Sequence, residues 1–490
     1  MAKNIIADIG FGQTRVALLE DDELIELFIE RPYPERLLGN IYRAKVDRVL
    51  PGMHAAFIDI GYEKKAFLYA GDIITPKIDG EELEKTVIER NIDSMLKAGQ
   101  EITVQVIKEP MGTKGPRVTT NLTLPGRYVV LMPNLDYVGV SRRIESEAEK
   151  ERLKKIAEAI KPEGMGIIMR TAAEGISEDE FVKDVNFLIK LWEKIRSGEK
   201  KGNVPRILYK DLNLLYKSLR DMFTEDVDKF IINDEEEYQK VLEFMDMMSP
   251  KLKTRVELFL KDYDIFEFYH IESAMKKAVA RKVWLKSGGY IIIDKTEALV
   301  VIDVNTGKFV GKKDLEDTVL KTNLEAAAEI AKQLRLRDIG GIIIIDFIDM
   351  HVPKHQQMVL NALKNELKKD RTKTTVVGIT GLGLVEMTRK RVRQNLDSTM
   401  SVDCYNCGGT GSVEAPANIA YRAEKQLIEY IKREKVDAVQ LELSHYPAEV
   451  FKANNAEILN AISRRYKVKI NLEANSELRY DEIRIKRLES

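Results

Sequence analysis

The chain of 490 residues contains only two cysteines, five histidines and two tryptophans. A disulfide framework needs cysteines spread along the chain, and Cys404 with Cys407 in a single Cys-x-x-Cys does not supply one. That spacing in a reducing compartment favours metal or redox chemistry. So few histidines point catalysis away from a His-centred triad. No apolar run approaches the roughly 18 residues of a membrane span, and Met1-Ala2-Lys3-Asn4 opens no signal peptide, so a cytoplasmic protein is expected. An excess of one charge is also missing. Lys and Arg number 78 against 79 Asp and Glu, so any nucleic-acid partner must be held by local basic patches.

What is present is a charge-rich globular composition, 32% charged and 44% hydrophobic, which excludes a disordered chain. At about 150 residues per domain the length predicts roughly three domains. Residues 4–29 alternate apolar runs with turns at Gly10, Gly12 and Asp21-Asp22, the pattern of an edge meander. From Gly39, short alternating runs such as Ala55-Ala56-Phe57-Ile58-Asp59 and Lys65-Ala66-Phe67-Leu68 predict a small β-barrel, with an insertion over the polar stretch 75–95 before it resumes at Gly99. Strands near Tyr128–Met132 and Gly166–Met169 flank a charged helix from about Glu145 to Ile160, and helices fill much of 177–282. A hairpin around Gly288-Gly289 follows, then a strand over Ala298–Val304, an amphipathic helix through Leu315, Val319, Leu324, Ala327, Ala331 and Leu334, and a strand Ile342–Ile345 ending at Asp346.

In Val300-Val301-Ile302-Asp303-Val304-Asn305, the period of two along a strand sends Asp303 and Asn305 to one face. A crossover to the strand ending in Asp346 brings two carboxylates and an amide oxygen to one edge. Hard oxygen ligands of this kind suit Mg²⁺ and a phosphodiester substrate. Acids at strand ends also serve merely as solvated turn caps, and Asp349 reads either as an extra acid or as a surface turn residue. Cys404-Tyr405-Asn406-Cys407-Gly408-Gly409 supplies two of the four ligands of a structural zinc, to be completed by other side chains or by a second subunit. The Gly-rich turn after it favours zinc over redox chemistry. Phe57 and Phe67 read as stacking platforms for single-stranded nucleic acid or as barrel core. The basic run Arg389-Lys390-Arg391-Val392-Arg393 reads as a solvated helix face or as a phosphate holder.

The stretch from Asp303 and Asn305 through the run Asn323 to Met350, together with the Cys-x-x-Cys and its glycines, closely resembles the ribonuclease E/G family. Asn40-Ile41-Tyr42 with Ala55 to Asp59 resembles its S1 domain, and Gly164 to Ala172 with Ser141 to Glu145 resembles its 5′-sensor. The resemblance implies an α+β multi-domain protein in which an S1 (OB-type) barrel and a 5′-sensor interrupt a ribonuclease H-like domain, followed by an α/β DNase I-like nuclease domain. The expected bounds are 1–38 and 213–278 for the ribonuclease H-like parts, 39–121 for S1, 122–212 for the sensor and 279–400 for the nuclease. A zinc-link over 401–414 and a small dimerisation domain over 415–490 complete it.

The implied activity is a single-strand-specific endoribonuclease, stimulated by a 5′-monophosphate, acting in rRNA processing and mRNA decay and leaving 5′-phosphate and 3′-hydroxyl ends. Asp303 and Asp346 would bind Mg²⁺, Asn305 would orient water or the scissile phosphate, and Cys404 with Cys407 would share Zn²⁺ between protomers of a homodimer or dimer of dimers. Phe57, Phe67, Lys108 and Lys114 would contact RNA; Arg170 and Thr171, with backbone at Gly126 and Val130, would take the 5′-phosphate. Where the ribonuclease E branch supports its sensor loop with an arginine, this chain has Lys373, which lacks the planar fork. The sequence ends at Ser490 without a Pro/Arg-rich tail, so no degradosome scaffold is expected. The rival expectations are a non-catalytic S1-type RNA-binding or ribosome-assembly factor, against which Asp303, Asn305 and Asp346 stand together, and a zinc-repeat chaperone, which needs several Cys-x-x-Cys copies.

Overall fold

The computed structural model describes residues 2–32, 36–74, 77–78, 81–82, 92–110, 114–307, 315–393 and 395–488; most of the polar stretch 75–95 lies outside them, as does the side chain of Leu315. Two compact units emerge, Met1–Leu396 and Asp397–Ser490.

The first unit begins with an antiparallel meander, Lys3–Ile9, Thr14–Glu20 and Glu23–Glu30, as its turns predict. Its free edge is then completed from far along the chain. Lys229–Ile232 pairs in parallel with Lys3–Ile9, and Val256–Leu258 with Lys229–Ile232, giving a five-stranded sheet. Ile5, Ala7, Val16 and Leu18 pack there against Leu219, Phe223 and Val241.

Between the two halves of that sheet lie two inserted bodies. Strands Ile41–Leu50, Ala55–Asp59, Ala66–Tyr69, Arg117–Thr119 and Glu101–Lys108 close into a five-stranded barrel, because Ile41–Leu50 pairs with both Ala55–Asp59 and Glu101–Lys108. Ala44, Val46, Ala56, Ile58, Ala66, Leu68, Val104 and Val118 fill it. Small alanines at three of these inward positions suit the tight interior of so small a barrel. A four-stranded sheet follows, with Val129–Met132 and Gly166–Met169 at its centre, covered by the helices Glu147–Ile160 and Glu178–Gly198.

The last body of this unit is a six-stranded sheet in the order Lys282–Trp284, Tyr290–Lys295, Leu299–Asn305, Gly341–Asp346, Val385–Arg389, Thr374–Ile379. Ile291, Ile302, Val304, Ile343 and Ile345 turn to one face, where Ala327, Ile330 and Leu334 of the helix Leu315–Leu336 and Val359 and Leu363 of the helix Pro353–Leu367 cover them. The strand burial alternates residue by residue along Leu299–Asn305, so the intervening residues look out on the opposite, open face. The second unit is a small α/β layer: a three-stranded sheet around Ala438–Leu443 packed on the helices Pro416–Glu434 and His445–Tyr466.

Candidate active site

Leu299–Asn305 and Gly341–Asp346 run parallel, joined through the helix Leu315–Leu336, and their register sets Asp303 directly beside Asp346. The Asn305 amide donates to the Asp303 carboxylate at 2.7 Å. Burial first, then the charges of Asp303 and Asp349, push the Asp346 carboxyl above its ordinary range. Three acids thus crowd one strand end. Among the described residues no three His, Cys, Asp or Glu side chains form a ready metal cage. A site of two carboxylates and an amide fits Mg²⁺, which takes one or two carboxylates and keeps its remaining positions for water and phosphate oxygens.

On the barrel, the register lays one lateral row across four strand pairings: Arg48 opposite Phe57, Phe57 opposite Phe67, Phe67 opposite Arg117, and Arg117 opposite Lys108. The Phe57 and Phe67 rings meet edge to face at 6.2 Å, and both are partly exposed while their neighbours Ala56, Ile58, Ala66 and Leu68 are buried. The two phenylalanines are therefore not barrel core. Lys108 and Lys114 are exposed. Arg48 and Arg117 were not singled out from the sequence, and the strand register alone adds them to the row.

Arg170 leaves the end of Gly166–Met169 and donates to the carbonyl of Gly126 at 2.5 Å, while its guanidinium meets the Asp221 carboxylate at 2.8 Å. Asp221 also takes Arg220 at 2.7 Å, and its own carbonyl accepts from Arg371 at 3.2 Å. Burial pushes the Asp221 carboxyl up, but Arg220 and Arg170 outweigh it and hold it below the ordinary range. Thr171 is exposed, its hydroxyl 3.0 Å from that of Ser141, with Arg142 and Arg143 exposed beyond. Gly126 is obligatory: a Cβ there would lie 2.5 Å from the Asp184 carboxylate, which accepts the amides of Arg127, Tyr128 and Val129. Val130 lies on the strand between Leu124–Pro125 and Gly166–Met169. Lys373 is exposed at the start of Thr374–Ile379; the arginine that touches Asp221 is Arg371, two residues earlier.

Residues 123–392 match the model of the ribonuclease E/G family. The chain belongs to that family. It is 41% identical to ribonuclease G of Escherichia coli strain K12 over 483 residues, covering 97% of this chain and 99% of that one. It is 44% identical to ribonuclease G of Haemophilus influenzae over 87% of each chain, and 41% identical to ribonuclease E of a Nostoc species over 81% of this chain and 57% of that one.

Both readings of the basic run fail for Arg389. It is a strand residue, 5% exposed, ion-paired at 2.7 Å with both Asp338 and Asp370, and Arg393 also reaches Asp338. The acids that neutralise it lie 51 and 19 residues earlier, beyond any local pattern. Two residues of the helix Leu315–Leu336 brace the site of this ribonuclease E/G chain. Asn323, fully buried on the long helix, exchanges hydrogen bonds with the backbone of Ile348 at 2.8 and 3.1 Å, fixing the loop between Asp346 and Asp349. Glu325 accepts from the Ser287 amide at 3.1 Å and fixes the 285–289 hairpin turn.

In the second unit Cys404 is exposed and Cys407 partly so. The amides of Gly411 and Gly409 pull the Cys407 thiol below its ordinary range. Two thiols are half of a tetrahedral set.

Proposed function

We propose that this ribonuclease E/G family member cuts single-stranded RNA internally in a Mg²⁺-dependent reaction, with stimulation by a 5′-monophosphate, in rRNA processing and mRNA decay in the cytoplasm. That the chain is an endoribonuclease follows from its family and from relatives matched over nearly its whole length.

The observation that carries the reading is the acid pair: Asp303 and Asp346 in register on parallel strands, with Asn305 hydrogen-bonded to Asp303. Burial first, and then the like charges of Asp303 and Asp349, raise the Asp346 carboxyl, and a divalent cation relieves that repulsion. A Mg²⁺ ion bound there supplies Lewis-acid stabilisation of the phosphodiester's developing charge. Asn305 orients the attacking water or the scissile phosphate, and the products carry 5′-phosphate and 3′-hydroxyl ends. Bases stack on Phe57 and Phe67 while Lys108 and Lys114 follow the backbone. Arg170 and Thr171, with the backbone at Gly126 and Val130, take the 5′-monophosphate, the guanidinium being held ready by Asp221. Cys404 and Cys407 pair with the same two residues of a second copy around Zn²⁺, which makes the protein a homodimer or a dimer of dimers.

The test is cleavage of a short AU-rich single strand bearing a 5′-monophosphate or a 5′-hydroxyl, with Mg²⁺ or EDTA, by the wild type and by Asp303→Asn. Internal cutting that needs Mg²⁺, is lost in Asp303→Asn and is faster on the monophosphate is expected. RNA that binds under every condition and is never cut overturns the reading in favour of a non-catalytic binding factor.

A further inference from the structure

The open face of the nuclease sheet carries an aromatic cluster that none of the residues discussed so far explains. Trp284 and Tyr290 are partners on adjacent strands, their rings edge to face at 5.4 Å. The Lys282 ammonium lies 4.0 Å from the Trp284 ring centre and 3.6 Å from that of Tyr290. Trp284 is 59% exposed, whereas the chain's other tryptophan, Trp192, is 6% exposed in the core beneath the sensor sheet.

Register ties this cluster to the acid pair. One row across the sheet reads Trp284, Tyr290, Asn305; the next reads Lys282, Ile292, Asp303, Asp346. The residues between them are Val283, Ile291 and Val304, which belong to the helix-covered core, so both rows share the open face. With strands about 4.8 Å apart, Trp284 stands roughly 10 Å from Asn305 along its row, about the reach of one or two nucleotides. The cluster is held from behind. Gly307, at φ +60°, lets the chain after Asn305 pass so close that a Cβ would lie 3.3 Å from the Tyr290 ring and 2.5 Å from the Gly288 carbonyl. Exposed charges lie close by in the chain, Arg281 paired with Asp294 and Lys286 with Glu23. An exposed indole with a cation over one face of its ring, beside a phosphodiester-cutting site, matches a base on the other face and the phosphate next to it.

We propose that Trp284, Tyr290 and Lys282 form a nucleotide subsite on the nuclease sheet, where a base of single-stranded RNA stacks on Trp284 and a backbone phosphate meets Lys282, seating the strand that is cut at Asn305, Asp303 and Asp346. The proposal rests on the ribonuclease reading and adds to it a substrate contact on the nuclease sheet itself.

The test exploits the scarcity of tryptophan. In full-length Asp303→Asn, which does not cut, Trp192→Phe leaves Trp284 as the sole tryptophan, and Trp284→Phe supplies a blank that keeps the measurement valid whether or not Trp192→Phe folds. Binding of an AU-rich decamer is followed separately by anisotropy of a labelled copy. Saturating RNA is expected to quench Trp284 emission and shield it from acrylamide, with the same midpoint as the anisotropy. In the cutting enzyme, Trp284→Leu is expected to raise KM by about fivefold or more with kcat little changed, and Trp284→Phe to restore it. Lys282→Met should reduce the salt slope of binding by about one. Binding seen by anisotropy with Trp284 emission and acrylamide access unchanged overturns the subsite alone. Shielding of Trp284 before any RNA is added assigns the patch to a second copy of the chain and overturns it too. Absence of RNA binding by anisotropy overturns the ribonuclease reading along with it.

Discussion

The Asp221 carboxylate lies 2.8 Å from the Arg170 guanidinium, although Asp221 follows the four-stranded sheet in the chain, on a helix packed against the first, five-stranded one. A single acid therefore fixes the orientation of Arg170, shares itself with Arg220, and through its backbone meets Arg371, in the bend before the strand Thr374–Ile379. Asp221→Asn keeps the shape but weakens charge-assisted bonds typically worth about 1.5–3 kcal/mol. The ratio of cleavage rates on 5′-monophosphate and 5′-hydroxyl RNA should fall about tenfold, with the 5′-hydroxyl rate unchanged. An equal loss on both substrates would show that Asp221 acts on stability alone.

Asp303→Asn and Asp346→Asn each remove a carboxylate from the pair, and each should slow cleavage by about a hundredfold or more at saturating Mg²⁺. RNA affinity by anisotropy should hold, because the Phe57–Phe67 row lies on another body of the fold.

Asn323→Ala leaves the Ile348 amide and carbonyl without their buried partner. The expected cost is about 1–3 kcal/mol in chemical denaturation, together with a drop in kcat as the Asp346 loop loosens. Unchanged kcat in a destabilised variant would separate the brace from the chemistry.

Glu149 accepts both arms of Arg152 at 2.7 Å and the Gly175 amide at 2.9 Å, clamping the turn that follows Thr171. The Arg152 bonds and then the Gly175 amide hold its carboxyl down at about 2, against 4.5 for the unperturbed group. A depressed acid stabilises above its unfolded value, and that stabilisation is lost as pH falls from 4.5 towards 2. The gap in denaturant midpoint between wild type and Glu149→Gln should be widest near neutral pH and should narrow below about pH 4.5.

If the two cysteines share a zinc between copies as proposed, the native protein should carry about one zinc per two chains and scatter light as an oligomer, and Cys404→Ser or a chelator should leave monomers. Full zinc content in a monomer would place all four ligands within one chain.

Much of the nuclease sheet was legible because its signals are long. The apolar runs Leu299–Asn305 and Gly341–Asp346 are bounded by turns and joined by a long amphipathic helix, so the strand, helix, strand order is legible, and the crossover of such a unit brings Asp303 near Asp346. The barrel was harder. Ala56-Phe57-Ile58 is apolar on both faces, so alternation alone does not say which face is inside; closure of the ring turns the small residues in and the phenylalanines out. The burial of Arg389 depends on Asp338 and Asp370, and the Arg371 contact depends on Asp221, 150 residues away. Contacts of that range are set by packing between bodies and leave no local trace.

The parallel pairing of Lys3–Ile9 with Lys229–Ile232 has a consequence for synthesis. The meander leaves the ribosome with one edge open, and its partner strand follows some two hundred residues later. At about 5–20 residues per second, that edge waits roughly 10–45 s. The barrel strands are contiguous from Ile41 to Thr119, so they can close on themselves during that interval. The order of translation therefore favours a barrel that is folded before the sheet that carries it, with the exposed Lys3–Ile9 edge as the segment that most needs a chaperone in a nascent chain.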